Sequence, residues 1–262
     1  MSKSYDLSTS SKWANLSDGD HVVKLKAKGA GFGTSSFSNS VTVKKGVAVY
    51  TDCLTFTGKT SEFTLKATDK TWDGTLEWST DHNTWTTLTG TEAMQSVGKK
   101  LYLRGKGNTT FFDSENFNGV SWQLSEKTDC IGNIQTLLDW ENPPTSTIGI
   151  RSYISMFEGC TNLTSAPELP ATDLSIGCYT GMFRGCTNLT SAPELPATTL
   201  NRNCYIEMFR GCTKLKVNTS SGNKIFACPS NIPTYAVDDM FTNTGGAFTG
   251  TPTAGTTYYW TA

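Results

Sequence analysis

Short runs of alternating apolar and polar residues dominate the first half of the chain. Between residues 50 and 125, six runs recur at roughly ten-residue spacing, with turn residues such as Asp73-Gly74 between them. They cover residues 54–57, 62–67, 75–79, 84–88, 100–104 and 120–124. An apolar period of two predicts antiparallel strands, and this spacing predicts a compact immunoglobulin-like β-sandwich over residues 48–145.

The first 47 residues carry a shorter version of the same pattern. Residues 21–28 alternate after a Ser-Asp-Gly-Asp turn, and residues 40–44 alternate after a glycine-rich stretch. We expect a partial fibronectin-like or immunoglobulin-like β-module over residues 1–47. Such a segment is too short to close a sandwich alone, so it is either truncated or completed by a partner chain.

Beyond residue 150 the chain repeats itself. Residues 156–181 and 182–207 are identical at 19 of 26 positions. A third copy begins at Met208, and Asp239-Met240-Phe241 marks a degenerate fourth start. A period of 26 residues lies within the range of about 20–29 for leucine-rich repeats, so we expect a short solenoid with a degenerate C-terminal cap over residues 146–262. The fold class is therefore mainly β and multi-domain.

We call each 26-residue copy a rung. The spacing of apolar residues inside a rung also predicts its local structure. Pro167 and Pro170 prevent a continuous helix across the middle of the rung. A short helix is predicted after them, because four apolar residues lie at i, i+3, i+4 and i+7: Tyr179, Met182, Phe183 and Cys186.

Five of the eight cysteines occupy two recurring positions of the repeat, Cys160, Cys186 and Cys212 at the first and Cys178 and Cys204 at the second. A sixth, Cys228, lies further along the chain. We expect the recurring cysteines to stack as buried thiols, with disulfides between rungs as the alternative. No CxxC pair occurs, and the last histidine is His82. A zinc site therefore has no recognisable set of ligands, and we expect neither a metal nor another cofactor.

Composition narrows the class of function. The 22 basic and 23 acidic residues nearly cancel, which argues against bulk electrostatic binding to nucleic acid. No apolar run approaches the roughly 18 residues of a membrane span, and no export signal is visible at the start of the chain as given. We expect neither membrane insertion nor catalysis, since no nucleophile motif accompanies the two histidines.

The repeat pattern MFxGCTxLTSAPELPATTLxxxCYxxMFxGC resembles the BspA-like leucine-rich-repeat surface proteins of gut bacteria, mycoplasmas, protists and phages. The likeness covers about residues 150–245. The stretch LSDGDHVVKLKAKGAGF resembles fibronectin-like modules, and LEWSTDHNTWTTLTG resembles the β-module that often precedes these repeats. The resemblance implies adhesion and host-surface binding, and it offers no catalytic residues to transfer.

Candidate ligand-binding residues follow from the same patterns. Polar side chains at matching rung positions are expected to form rows on the strand face of the solenoid: Thr164, Ser165, Glu168, Thr190, Ser191 and Glu194. The aromatic residues Trp78 and Trp85 are candidates for sugar stacking, with burial in the sandwich core as the alternative.

We therefore expect a non-enzymatic, surface-displayed binding protein that recognises a glycan or protein on a host surface. The missing export signal favours a phage virion fibre or decoration protein over a bacterial adhesin. Two alternatives stay open: a purely structural virion component that contacts other virion proteins or copies of itself, and a carbohydrate-binding module of a larger surface protein.

Overall fold

The computed structural model describes residues 19–23, 41–45, 53–116 and 118–262, and in these ranges the chain is mainly β. The strands are β1 Gly19–Val23, β2 Val41–Lys45, β3 Leu54–Gly58, β4 Thr64–Ala67, β5 Thr75–Ser79, β6 Thr86–Leu88, β7 Met94–Gln95, β8 Lys100–Lys106, β9 Phe112–Asp113, β10 Asn118–Gly119, β11 Trp122–Leu124, β12 Thr128–Ile131, β13 Leu163–Ser165, β14 Lys216–Asn218, β15 Asn223–Ala227, β16 Gly245–Gly246 and β17 Thr257–Thr261. A short 3₁₀ helix spans Ile134–Leu137. The chain divides into two compact units, Met1–Thr51 and Asp52–Ala262.

In the first unit, β1 pairs antiparallel with β2, with Gly19 opposite Lys45 and Val23 opposite Val41. The two strands overlap the alternating runs at 21–28 and 40–44. The rest of those runs lies outside the described residues, so the partial module over residues 1–47 stays a prediction.

The second unit begins with two sheets that share a core. A six-stranded sheet has the order β13-β12-β3-β8-β5-β6, and a three-stranded sheet has the order β11-β4-β7. Each of the six alternating runs between residues 50 and 125 contains a strand, as predicted. The core residues include Phe56, Leu65 and Leu103, which alternate with polar residues along their strands and are completely buried.

The 26-residue repeats stack in register, so that equivalent side chains lie one above another. Tyr153, Tyr179 and Tyr205 form a column with ring centroids 5.7 and 6.0 Å apart. A second column runs through Phe157, Phe183, Phe209 and Phe241, with rings 5.5 to 5.8 Å apart and nearly parallel. These rings are buried, so each rung completes the core of the next one.

The predicted helix around residues 179–186 is wrong, although its four apolar residues are all buried. Every second amide in this part of the rung bonds to the neighbouring rung, as Tyr179 N does to the Cys204 carbonyl at 3.0 Å. The intervening amides bond three residues back. Glycines with positive φ recur every fourth residue, at Gly177, Gly181 and Gly185, and interrupt α-helical geometry. We call this run of turns the arc of each rung, residues 151–159, 177–185, 203–211 and 235–243.

Both ends of the stack are covered. We call residues 54–131, from β3 to β12, the β-rich part. At one end of the stack, Phe111 of the β-rich part stacks on Tyr153 with ring centroids 5.8 Å apart and so starts the tyrosine column. At the other end, Phe248 and Tyr258 contact Phe241 of the fourth arc. The sheet of order β15-β17-β14-β16 carries Tyr258, so the last residues of the chain close the core.

The packing across residue 146 is continuous. β12 pairs in parallel with β13, and the Trp122 amide donates to the Met156 carbonyl of the first arc at 3.0 Å. A single cluster of buried residues runs from Leu54 to Tyr258. The division into segments at 48–145 and 146–262 stays a prediction, but the described residues from 53 onward pack on both sides of residue 146 as one body.

Candidate functional site

The predicted strand-face residues of the first rung take part in contacts within the chain. Thr164 donates its hydroxyl to Asp129 Oδ1 at 2.6 Å, and the Ser165 hydroxyl bonds to both the amide and the carbonyl of Cys130 at 3.1 Å. Burial acts to raise the pKa of Asp129, but hydrogen bonds from Lys59 and Thr164 outweigh it and hold the pKa below its usual value. These two hydroxyls therefore attach the first rung to β12.

In the second rung, Thr190 is exposed where Thr164 is half-buried, and Ser191 is half-buried like Ser165. Thr190 donates both its amide and its hydroxyl to the Thr164 carbonyl, each at 3.1 Å, and Ser191 forms a parallel bridge with Ser165. Glu194 is paired with Lys224 at 2.9 Å. Glu168 is exposed, and its amide donates to the Gly132 carbonyl. The row is thus an aligned ladder, and its role in ligand binding stays a prediction.

The two candidate tryptophans lie in different surroundings. Trp78 is half-buried against the core of the β-rich part. Trp85 stacks on the Arg104 guanidinium, whose carbon lies 3.9 Å from the Trp85 ring centre and 4.0 Å from that of Trp140. Arg104 Nε also pairs with Glu77 at 2.8 Å. Because Arg104 covers one face of each of these two rings, the cluster holds the β6 region against the segment after the 3₁₀ helix.

A polar groove of about 590 Å³ lies where the outer surface of the β-rich part meets the first arc. One wall comes from the two residues after β4 and from β11 with the residue before it: Thr68, Asp69, Ser121 and Gln123. The opposite wall comes from the first arc: Ile154, Ser155, Glu158 and Gly159. Phe112 and Gly119, from the β9–β10 hairpin, complete the lining.

Specific backbone contacts build this groove. The Ser121 hydroxyl donates to the Glu158 carbonyl at 2.6 Å, which fixes the two walls relative to each other. A Cβ atom at Gly119 would lie 2.8 Å from the Ile154 carbonyl oxygen, so the hairpin approaches the arc this closely only because residue 119 is glycine. The groove is therefore a product of the seam between the two parts.

Several side chains in the groove have unused hydrogen-bonding capacity. The Asp69 carboxylate, the Gln123 side-chain amide and the Ser155 hydroxyl form no hydrogen bond or ion pair with another described residue. Glu158, on the opposite wall from Asp69, pairs with Arg184 at 2.7 Å. Arg184 in turn pairs with Glu207 at 2.6 Å, so its charge is shared between two carboxylates.

The cysteines inside the stacked repeats lack the properties of nucleophiles. Burial raises the pKa of Cys160 and of Cys212 to about 12. Burial also raises the pKa of Cys186 well above its usual value, and its thiol lies 3.0 Å from the Phe157 carbonyl, to which it donates. A thiolate is the reactive form of cysteine, so these thiols are unreactive at neutral pH.

Sequence reasoning did not find the groove. Its walls come from three distant segments, around residues 68, 121 and 155, and none of them forms a motif. The one local signal is Gly119, which interrupts a polar stretch between the strands, but a glycine in such a place has many explanations.

Comparison of the chain with protein-family models, with curated proteins and with solved structures gives no match. In the described ranges, no helix has the length and apolar character needed to cross a membrane. Within the same ranges, no group of three His, Cys, Asp or Glu side chains is placed to hold a metal ion.

Proposed function

We propose that this chain is a non-enzymatic binding protein displayed on a surface, either as a phage virion fibre or decoration protein or as a bacterial adhesin. In this proposal an immunoglobulin-like β-module precedes a short leucine-rich-repeat solenoid of the BspA-like type. The protein recognises a polar ligand, a glycan or a protein, on the surface of a host cell.

The observation that carries this proposal is the groove beside the first arc. A concave surface with several convergent polar groups is typical of a binding site, and its volume of about 590 Å³ lies within the range of about 300–1,000 Å³ for small-ligand sites. Asp69, Gln123 and Ser155 offer donors and acceptors there without giving up an internal contact.

The surroundings of the reactive side chains support binding over catalysis. The thiols are buried and protonated, as described above for Cys160, Cys186 and Cys212. Glu158 is held in an ion pair by Arg184, so its carboxylate is not free to act as a general acid. A rigid stack then serves to hold the groove at a fixed place on the molecule.

The proposal is tested by measuring binding of the labelled full-length chain to a panel of intact gut bacterial cells. We expect saturable binding to at least one strain. Gln123→Trp places a large side chain in the groove at an exposed strand position, and it is expected to weaken that binding at least tenfold. Thr86→Trp, on an exposed strand outside the groove, is the matched control and is expected to bind normally.

The row of polar side chains predicted on the strand face is tested in the same assay with the double variant Glu168→Gln and Glu194→Gln. Loss of binding in this variant, with Gln123→Trp unaffected, would assign recognition to the strand face and overturn the groove as the site. Absence of saturable binding to every strain would contradict the proposed function itself.

A purely structural role is the second candidate, and one surface feature favours it. Ile150 and Ile176 occupy the same position in successive rungs and are 60% and 39% exposed. Further along the stack, Tyr235 is 51% exposed and lies 6.0 Å from the Arg202 guanidinium. An exposed apolar column of this kind suits packing against another virion protein or a second copy.

Light scattering on the full-length chain discriminates this second candidate. A structural role through the column predicts an oligomer that Ile150→Lys combined with Ile176→Lys converts to a monomer. If the wild type and the double variant are both monomeric at high concentration, the chain does not self-assemble through this column.

A further inference from the structure

The groove also indicates the charge of the ligand it accepts, and this inference rests on the proposed binding function. We infer that the groove binds an oligosaccharide that carries no negative charge, and that it rejects sialylated, sulfated or phosphorylated glycans. The charges, the hydrogen-bonding groups and the apolar side chains of the groove support this inference.

The charges of the groove exclude an acidic ligand. Asp69 and Glu158 contribute two carboxylates from opposite walls, and no lysine or arginine is among the described residues that line the groove. Arg184 lies nearby, but it is paired with both Glu158 and Glu207. Lys66 is the cross-strand partner of Gln123, and it is exposed and does not line the groove. The Arg151 guanidinium lies 5.2 Å from the Phe112 ring centre, beside the groove and outside its lining. A ligand carboxylate or sulfate would therefore meet two carboxylates and no cation among the described residues that line the groove.

The hydrogen-bonding groups suit the hydroxyl groups of a sugar. A sugar hydroxyl both donates and accepts, so it can donate to the Asp69 carboxylate and can both donate to and accept from the Gln123 amide and the Ser155 hydroxyl. These three side chains come from both walls, so one ligand can contact all of them. A bond to an ionised carboxylate is stronger than a neutral one, which makes Asp69 the strongest anchor.

The lining also provides apolar surface. The side chains of Phe112 and Ile154 line the groove beside the polar groups, and both are half-buried. Sugar rings present C–H faces as well as hydroxyls, so a mixture of apolar and polar surface fits a saccharide better than it fits a small ion. The groove volume of about 590 Å³ accommodates more than one sugar ring.

The test is a glycan array probed with the labelled full-length chain, on which neutral glycans are printed beside their sialylated and sulfated counterparts. We expect wild-type protein to bind at least one neutral glycan and to bind its acidic counterparts at least tenfold more weakly. Asp69→Asn is expected to reduce that difference at least threefold, because it removes one of the two repelling charges. Gln123→Trp is expected to abolish binding, and Thr86→Trp is expected to leave it unchanged.

Three results would overturn the inference: acidic glycans bind as well as neutral ones, Gln123→Trp binds normally, or no glycan binds while the protein still binds cells saturably. The last result leaves the proposed binding function standing and assigns a protein ligand. If neither cells nor glycans are bound, the proposed function fails together with the inference.

Discussion

Cys160, Cys186 and Cys212 occupy the same position of the repeat and fill the interior of their rungs, and the last two use their thiols as weak donors. Cys186 donates to the Phe157 carbonyl and Cys212 donates to the Phe183 carbonyl, both at 3.0 Å. Cysteine suits this place because it is small, largely apolar and still able to satisfy a buried carbonyl. The repeated cysteines are therefore explained by packing.

All eight cysteines lie within the described ranges, and all are buried. Because burial raises the pKa of Cys204 and of Cys228 to about 11, even the less deeply buried thiols stay protonated at pH 8. We predict that a thiol reagent finds no rapidly reacting cysteine in the native protein and eight after unfolding without a reductant. A denatured count below eight would show disulfides, and rapid reaction of the native protein would contradict the buried ladder.

At the scale of the element, the arcs are joined by a series of ion pairs as well as by backbone hydrogen bonds. Glu207 of the third arc accepts hydrogen bonds from Arg184 and Arg210. Partial burial acts to raise the pKa of Glu207, but these two guanidinium groups outweigh it and lower the pKa below its ordinary value of 4.5. Glu207 therefore stabilises the fold while it is ionised.

The variant Glu207→Gln is predicted to lose about 1 kcal/mol of unfolding free energy at pH 7. A lowered pKa gives stability that is present above the unfolded pKa and lost as the pH falls through the folded one. The difference between wild type and variant should thus be constant from about pH 7 to pH 5 and shrink as the pH falls below the ordinary pKa of 4.5 in denaturant titrations. Glu168→Gln serves as the control with no expected effect, and a difference that does not shrink on acidification would contradict this account.

The strands and the rungs could be predicted from sequence, but the shape of the arc could not. An apolar period of two or of 26 residues reports which side chains share a face, and the structure buries the four apolar residues Tyr179, Met182, Phe183 and Cys186. The same spacing fits a helix or a chain of turns. The conformation depends on whether the backbone amides bond within one rung or to the next rung. In the structure, every second amide bonds to a carbonyl about 25 residues further along the chain, so the neighbouring rung determines the conformation.

At the scale of the whole molecule, the β-rich part acts as the first layer of the stack. Phe111 covers Tyr153, and β12 supplies a parallel partner for β13. A repeat that lacks such a cover would expose its apolar face to water. The groove exists only where this cover meets the first arc, so the site depends on features that no single segment of sequence contains.

Because the core is continuous, the unit Asp52–Ala262 is predicted to unfold in a single transition. Hydrogen exchange on the full-length chain at rising temperature should show peptides from β3–β8 and from the first three arcs losing protection together. Loss of protection in the arcs at a clearly lower temperature than in the sheets would show two independent bodies and contradict the shared core.

The central claim is that the groove beside the first arc is the recognition site. The most direct measurement is hydrogen exchange of the full-length chain with and without a saturating concentration of the neutral glycan selected by the array. We predict new protection confined to residues 68–69, 119–123 and 154–159. Protection that appears instead along residues 164–168 and 190–194, with none at the groove, would contradict the claim.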